Sequence, residues 1–270
     1  MLAVSIAMNM RVTGIEVLVG LLVICSNYGS AHYLYEECGF RRENSGETLG
    51  PWTALLHEKG NIFCSGTLIT NRFILTAASC IKANAVIEVR LGAFGRQANE
   101  LAEDHMVQFS LRYRHFDNKT LSNDIGLLRL TKNVDLKEYI KPICILLDPE
   151  RKLSVNEFIG GAWGQDQENQ YGPIAIQRKP QFCRGLDLYT QFCAGGIVGN
   201  LGSCNGLPGS ALTQSIKYMK EKRHIQFGIA SLGNMECQEA QGYTDVLSYY
   251  WWLQDVVTLF SHSFYDPKPI

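Results

Sequence analysis

The chain has 270 residues, 46% of them hydrophobic and 19% charged, with 25 Lys+Arg against 26 Asp+Glu. A formal net charge of -1 supplies no electrostatic footprint for nucleic acid or an anionic membrane, and the apolar fraction is too high for a disordered chain. With 25 Gly, 8 Pro and 10% aromatics, the composition favours short strands and tight turns over a helical bundle, and the length suits one all-β domain of two halves.

From the N-terminus, Val17 to Cys25 reads VLVGLLVIC, preceded by Arg11 and followed by the small, polar SNYGSA. That is the pattern of a signal-peptide apolar region, too short for a bilayer of about 30 Å of hydrocarbon. Gly29 and Ala31 have the small-residue spacing of a cleavage site, so 1–31 is expected to be a signal peptide and the mature, secreted, extracellular chain to run from His32 to Ile270. An uncleaved anchor is disfavoured by Glu16 and by the shortness of the run. Residues 32–50 read as a short arm and 51–270 as the domain. No later run is long enough to span a membrane. Of nine cysteines, Cys25 leaves with the signal, and the remaining eight can pair completely. In a secreted chain without a CxxC spacing they are expected to form disulfides rather than a metal site, with counting alone leaving every connectivity open.

In the body, Ile87, Val89 and Leu91 alternate with Glu88 and Arg90, and Val107, Phe109, Leu111 and Tyr113 alternate with Gln108, Ser110, Arg112 and Arg114. This period of two predicts half-buried strands. Asn118-Lys-Thr120 is an N-glycosylation acceptor pattern in a polar loop. Near the C-terminus Val246, Tyr250, Leu253, Val257 and Phe260 recur at steps of four and three, predicting one amphipathic helix that closes the fold. No repeat, low-complexity tract or linker divides the domain. HExxH, Walker-type and EF-hand patterns are absent, so no cofactor or metal is expected.

Five motifs follow one another: Cys64-Ser-Gly-Thr-Leu-Ile, Leu75-Thr-Ala-Ala-Ser-Cys80, Asn123-Asp-Ile-Gly-Leu-Leu-Arg-Leu130, Ala162-Trp-Gly164 and Cys193-Ala-Gly195. With Pro51-Trp52, Gly228-Ile-Ala-Ser-Leu-Gly233 and Gly242-Tyr-Thr-Asp-Val, the chain resembles the chymotrypsin/trypsin-like serine proteases from about Cys38 to Phe260. The resemblance implies two antiparallel six-stranded β-barrels, a cleft between them and a C-terminal α-helix. It also implies the pairings Cys38 with Cys144, Cys64 with Cys80, Cys183 with Cys193 and Cys204 with Cys237.

Amide hydrolysis on that template needs a hydroxyl nucleophile, an imidazole base, a carboxylate orienting it and backbone N–H donors for the oxyanion. Ser79 stands where the family carries its histidine. Asp124 matches the orienting carboxylate, without an imidazole to orient, and reads as a buried structural Asp that must find donors. The family's Cys-x-Gly-Asp-Ser-Gly-Gly-Pro-Leu is here Cys204-Asn-Gly-Leu-Pro-Gly-Ser-Ala-Leu212, so Pro208 takes the nucleophile's place and Leu207 that of the preceding Asp. Proline lacks both the hydroxyl and one of the two oxyanion N–H groups. Ser210 falls on the family's second Gly and reads as structural. His57, His105, His115, His224, His262 and His32 lie elsewhere and are expected in loops or on the surface. No Ile-Val-Gly-Gly segment follows Arg41-Arg42, which agrees with Leu207: with no new ammonium group to pair, a buried Asp there would be an uncompensated charge. Gly202 occupies the floor of the specificity pocket, Gln241 its wall, and Leu232 the place of a substrate-pairing Trp, marking a vestigial pocket.

The expected function is therefore a secreted, non-catalytic protease homologue of the clipless insect type, with no space upstream for a clip domain. It would act as cofactor, decoy or regulator in an extracellular proteolytic cascade such as those of innate immunity. The partner class implied is an active serine protease or its substrate; oligomeric state is not indicated. The alternative is a serine-type endopeptidase with an unconventional site, which would need a new base, nucleophile and oxyanion hole together. A third reading, an orphaned copy without a role, is opposed by the complete cysteine set and the strand alternation.

Overall fold

Alternating apolar residues set the strands, and their pairing makes two closed antiparallel barrels. A computed structural model describes residues 33–41, 49–93, 101–147, 155–164, 171–196, 204–218, 221–231 and 240–261. The signal-peptide expectation and Cys25 lie outside those residues. The first barrel contains β1 (Thr53–Glu58), β2 (Asn61–Leu68), β3 (Phe73–Thr76), β4 (Glu88–Leu91), β5 (Glu103–Arg112) and β6 (Gly126–Leu130), closed in the order β1-β2-β3-β6-β5-β4. The second contains β7 (Glu157–Gly164), β8 (Tyr171–Arg178), β9 (Gln191–Gly196), β11 (Ala211–Tyr218), β12 (Glu221–Ala230) and β13 (Gln241–Asp245), with the short β10 (Cys204–Gly206) paired to the C-terminal end of β7. Pairing of β7 with β8 closes that ring. The expected architecture is borne out.

In β4, Val89 and Leu91 point inward while Glu88 and Arg90 stay half-exposed, the alternation of a barrel wall. The first core joins Leu56, Leu68, Phe73, Leu75, Val89 and Leu128; the second gathers Phe158, Ile176, Phe192, Leu212, Phe227 and Tyr243. Each such side chain contributes about 1.5–3 kcal/mol by leaving water.

The C-terminal stripe differs from its predicted phase. Val246–Tyr249 is a 3₁₀ turn, and only Tyr250–Ser261 (α1) is α-helical. Three residues per turn carry Tyr249, rather than Tyr250, beneath Val246 and onto the buried face with Leu253 and Val257. The helix thereby adds its apolar stripe to the first barrel's core.

Disulfide bonds join Cys38 to Cys144, Cys64 to Cys80 and Cys183 to Cys193. Cys237 lies outside the described residues. The described arm, 33–41, is held by more than its disulfide. Leu34 N–H donates to Ile145 O, Gly39 N–H to Pro142 O, and His224 N–H to Gly39 O. Arg223 donates to the carbonyls of Glu36 and Cys38 and stacks 3.8 Å from the Phe40 ring centroid. Among the described residues, no helix is long and apolar enough to cross a membrane.

Candidate active site

Ser79 is positioned by a single 3₁₀ turn, Ala78–Cys80, at the end of β3. The Cys64–Cys80 bond pins that turn to β2. Asp124 approaches from the loop between β5 and β6, where Leu121 and Asn123 have φ of 55° and 56°. Asn123 tolerates the left-handed region, and its side chain is fixed at both ends: Nδ2 donates to His115 O at 3.1 Å, and Oδ1 accepts from Tyr249 Oη at 2.9 Å. Burial pushes the Tyr249 phenol up from its ordinary pKa, keeping it a neutral donor. Thr244 Oγ1, from the second barrel, donates to Asp124 O at 3.1 Å. The carboxylate that results is fully buried.

Ser79 supplies a donor to each carboxylate oxygen. Ser79 N–H donates to Asp124 Oδ1 at 2.7 Å and Ser79 Oγ to Oδ2 at 2.9 Å. Sequence reasoning required donors for Asp124 without identifying them; a short hydroxyl at the histidine position was the available signal. Both oxygens are engaged in charge-assisted bonds, so the pair stabilises a buried anion. A serine hydroxyl cannot accept a proton near neutral pH, so Ser79 cannot serve as a general base.

Pro208, expected from the resemblance at the nucleophile position, is buried, and its carbonyl accepts the Ser65 N–H at 2.8 Å. It offers neither hydroxyl nor N–H. The next residue must be glycine: at Gly209, φ is +82°, and a Cβ would stand 2.1 Å from Ser65 O and 2.4 Å from Thr76 Oγ1. Gly209 N–H donates to Ala230 O, Ala230 N–H to Ser210 O, and Ser210 N–H to Leu207 O. Ser210 is buried and Leu207 half-buried. The segment is thus clamped between the barrels by its backbone.

Of the pocket residues, Gln241 lies on β13 opposite Ala194, its Nε2 donating to Tyr243 Oη at 2.9 Å. Gly202 and Leu232 lie outside the described residues, as do His32 and His262. Asn118 is exposed in a loop organised by Asp117, which accepts from Lys119 N–H and Thr120 Oγ1.

Three histidines depart from the expected loop or surface placement because strands carry them into the barrel walls. His57 is on β1 and only 3% exposed; its Nδ1 accepts from Gly60 N–H, leaving Nε2 to donate to Asp104 at 3.1 Å. Glu88 is 3.5 Å from Nδ1. Among the described residues its polar side-chain contacts include no Ser, Thr or Cys, whereas Asp124 is bonded to Ser79. His105 lies on β5. His224 lies on β12, 4.9 Å from the Trp52 ring, and burial followed by the charges of Arg41 and Lys222 lowers its pKa to about 4. His115 is exposed. Among the described residues no group of three or more His, Cys, Asp or Glu is arranged to hold a metal ion.

Serine protease grass of Drosophila melanogaster is 28% identical over 250 residues, covering 77% of this chain and 64% of that protein. CLIP domain-containing serine protease HP8 of Bombyx mori is 29% identical over 225 residues, covering 69% and 60%. Coagulation factor IX of Oryctolagus cuniculus is 31% identical over 179 residues, covering 61% and 65%. The chain therefore spans less than two thirds of the length of these relatives. The crystal structure of the Drosophila Grass clip serine protease of the Toll pathway superposes with a TM-score of 0.66 at 23% identity, covering 88% of this chain and 78% of that one, a likeness of fold. The family model for trypsin matches residues 39–253, and with the two barrels and the ordered motifs it establishes that the chain belongs to the trypsin family.

Proposed function

We propose that this chain is a secreted serine protease homologue without peptidase activity, acting by binding protein in an extracellular proteolytic cascade. The observation that carries the proposal is the pairing of Ser79 with Asp124, together with the burial of Pro208. A triad without imidazole and hydroxyl loses the proton acceptor and the attacking atom together, and proline also withdraws an oxyanion donor. The clamped backbone from Leu207 to Ser210 supports a fixed binding surface. Similarity to a clip protease of the Toll pathway supports the cascade setting, with an active protease or its substrate as partner. Within this proposal, 1–31 is a signal peptide, 32–50 an arm retained through Cys38, and 51–270 the homologue domain. Cys204 pairs with Cys237, Gly202, Leu232 and Gln241 form a vestigial pocket, and Asn118 carries a glycan. The test is labelling of the purified secreted protein with a serine-directed phosphonate, alongside a peptidase assay before and after trypsin treatment. No labelling and no turnover are expected; stoichiometric labelling would overturn the proposal.

A further inference from the structure

A cavity of about 700 Å³ opens on the second barrel, lined by Arg178, Phe192, Phe227, Leu188, Leu247 and Tyr250 among others and by neither Ser79 nor Asp124. Its floor is aromatic core and its cation is Arg178. The guanidinium lies 4.1 Å from the Phe192 ring centroid and donates through Nε to Val155 O at 2.7 Å. Among the described residues its Nη1 and Nη2 make no hydrogen bond. Burial pushes the guanidinium below its ordinary pKa, with Asp245 acting in the opposite direction, so an added anion would be favoured there. Asp245 also lines the cavity, but its Oδ1 caps the 3₁₀ turn by accepting Leu247 N–H at 3.1 Å.

The rim projects outward. Leu188 is 78% and Tyr189 90% exposed. They sit at the tip of a turn braced by Asp187, which accepts Tyr189 N–H at 3.0 Å, Thr190 Oγ1 at 2.8 Å and, through its carbonyl, Gln191 N–H at 2.7 Å. Ser248 Oγ further donates to Tyr189 O at 2.6 Å. Large apolar side chains displayed on a pre-ordered turn lose little further entropy on binding, and aromatic side chains on such sites concentrate binding energy.

We propose that this cavity and its Leu188–Tyr189 rim form a docking site for a protein partner that inserts a carboxylate flanked by apolar side chains, the carboxylate pairing with Arg178 Nη1 and Nη2. A small molecule would leave the projecting rim uncovered, whereas a peptide segment covers floor and rim together. The inference rests on the binding role proposed above and gives it a location.

The test uses the full secreted chain and a phage-displayed library of random heptapeptides. Enriched peptides are expected to carry Asp or Glu beside aliphatic or aromatic residues, and their synthetic forms to lose about 10-fold or more in affinity when that acid is replaced by its amide. Arg178→Gln should abolish this acid preference. Leu188→Ser/Tyr189→Ser, which alters only exposed side chains, should weaken acid and amide peptides alike with an unchanged unfolding temperature. Enrichment without acids, or equal binding to all variants, overturns the site. Concentration-dependent dimerisation abolished by the rim double variant also overturns it, because the occupant would then be a second copy. Phosphonate labelling is scored on the same preparations, so failure of this site with no labelling leaves the non-catalytic reading intact.

Discussion

Replacing Ser79 by alanine removes one of the two bonds it donates to Asp124. The backbone bond from Ser79 N–H at 2.7 Å survives, while the Oγ bond at 2.9 Å to Oδ2 is lost. A hydrogen bond to a charged group is worth about 1.5–3 kcal/mol, and full burial of Asp124 prevents water from simply taking the hydroxyl's place. Stability should therefore fall by about 2 kcal/mol, lowering the midpoint of thermal unfolding by about 4–8 °C in a domain of this size. Ser65→Ala is the control: it removes a buried but neutral bond, Ser65 Oγ to Ala54 O at 3.0 Å, worth about 0.5–1.5 kcal/mol. In an Asp124→Asn background the charge is gone, and Ser79→Ala should cost about 1 kcal/mol less than in the wild type, a coupling read by the double-mutant cycle. Calorimetry of the four proteins supplies the measurement. A Ser79→Ala change no larger than that of Ser65→Ala, or an absence of coupling to Asp124, would refute the assignment of Ser79 as principal donor.

Gly209→Ala should prevent accumulation of folded protein, since the new Cβ meets Ser65 O at 2.1 Å and φ is +82°; normal expression yield with normal unfolding would contradict this packing. His224 has its folded pKa lowered to about 4 from 6.5, so the unfolded chain binds more protons between those values. Stability should thus decline as pH falls from 6.5 toward 4 by about 1–2 kcal/mol after allowance for solvent screening, and the decline should shrink in His224→Gln when urea unfolding is compared at pH 7 and pH 5. Cleavage after Arg41 should leave the N-terminal fragment attached through Cys38–Cys144, separating on gels only after reduction; separation without reducing agent would disprove the tether.

The two-barrel fold was legible because strands such as β4 carry a period of two and the turn and cysteine motifs occur in family order. Closure was legible only through the resemblance: nothing in the alternation of Val89 and Leu91 says that β7 will pair with β8 as well as with β11. The helix showed why phase is harder to read than existence. A 3₁₀ turn of four residues was enough to exchange Tyr249 for Tyr250 on the buried stripe. His57 was misplaced for a related reason. A polar strand residue is buried at low cost when neighbouring strands supply its partners, and Asp104 on β5 is 47 positions away in sequence. At the candidate site the residue types at 79, 124 and 208 were readable in order, but the hydrogen bonds of Ser79 to Asp124 are tertiary facts beyond any local pattern.

The clamped loop also explains why restoring chemistry requires more than restoring residue types. Ser79→His removes the hydroxyl bond to Asp124 Oδ2, and an imidazole could take that oxygen while the backbone bond to Oδ1 stays, but Pro208 still offers no hydroxyl to activate. Pro208→Ser would regain a hydroxyl and an N–H, but Leu207 would still supply no charge to hold the loop as the family's Asp does. Each oxyanion donor is worth about 2.7–4 kcal/mol in the transition state, and triad members act as a unit, so partial repair gains little. The double variant Ser79→His/Pro208→Ser is expected to remain at background on peptide substrates and unlabelled by phosphonate. Labelling of that variant, with the wild type unlabelled, would show that the backbone bonds of Gly209 and Ser210 alone hold the loop in a competent shape and that Leu207 is no obstacle.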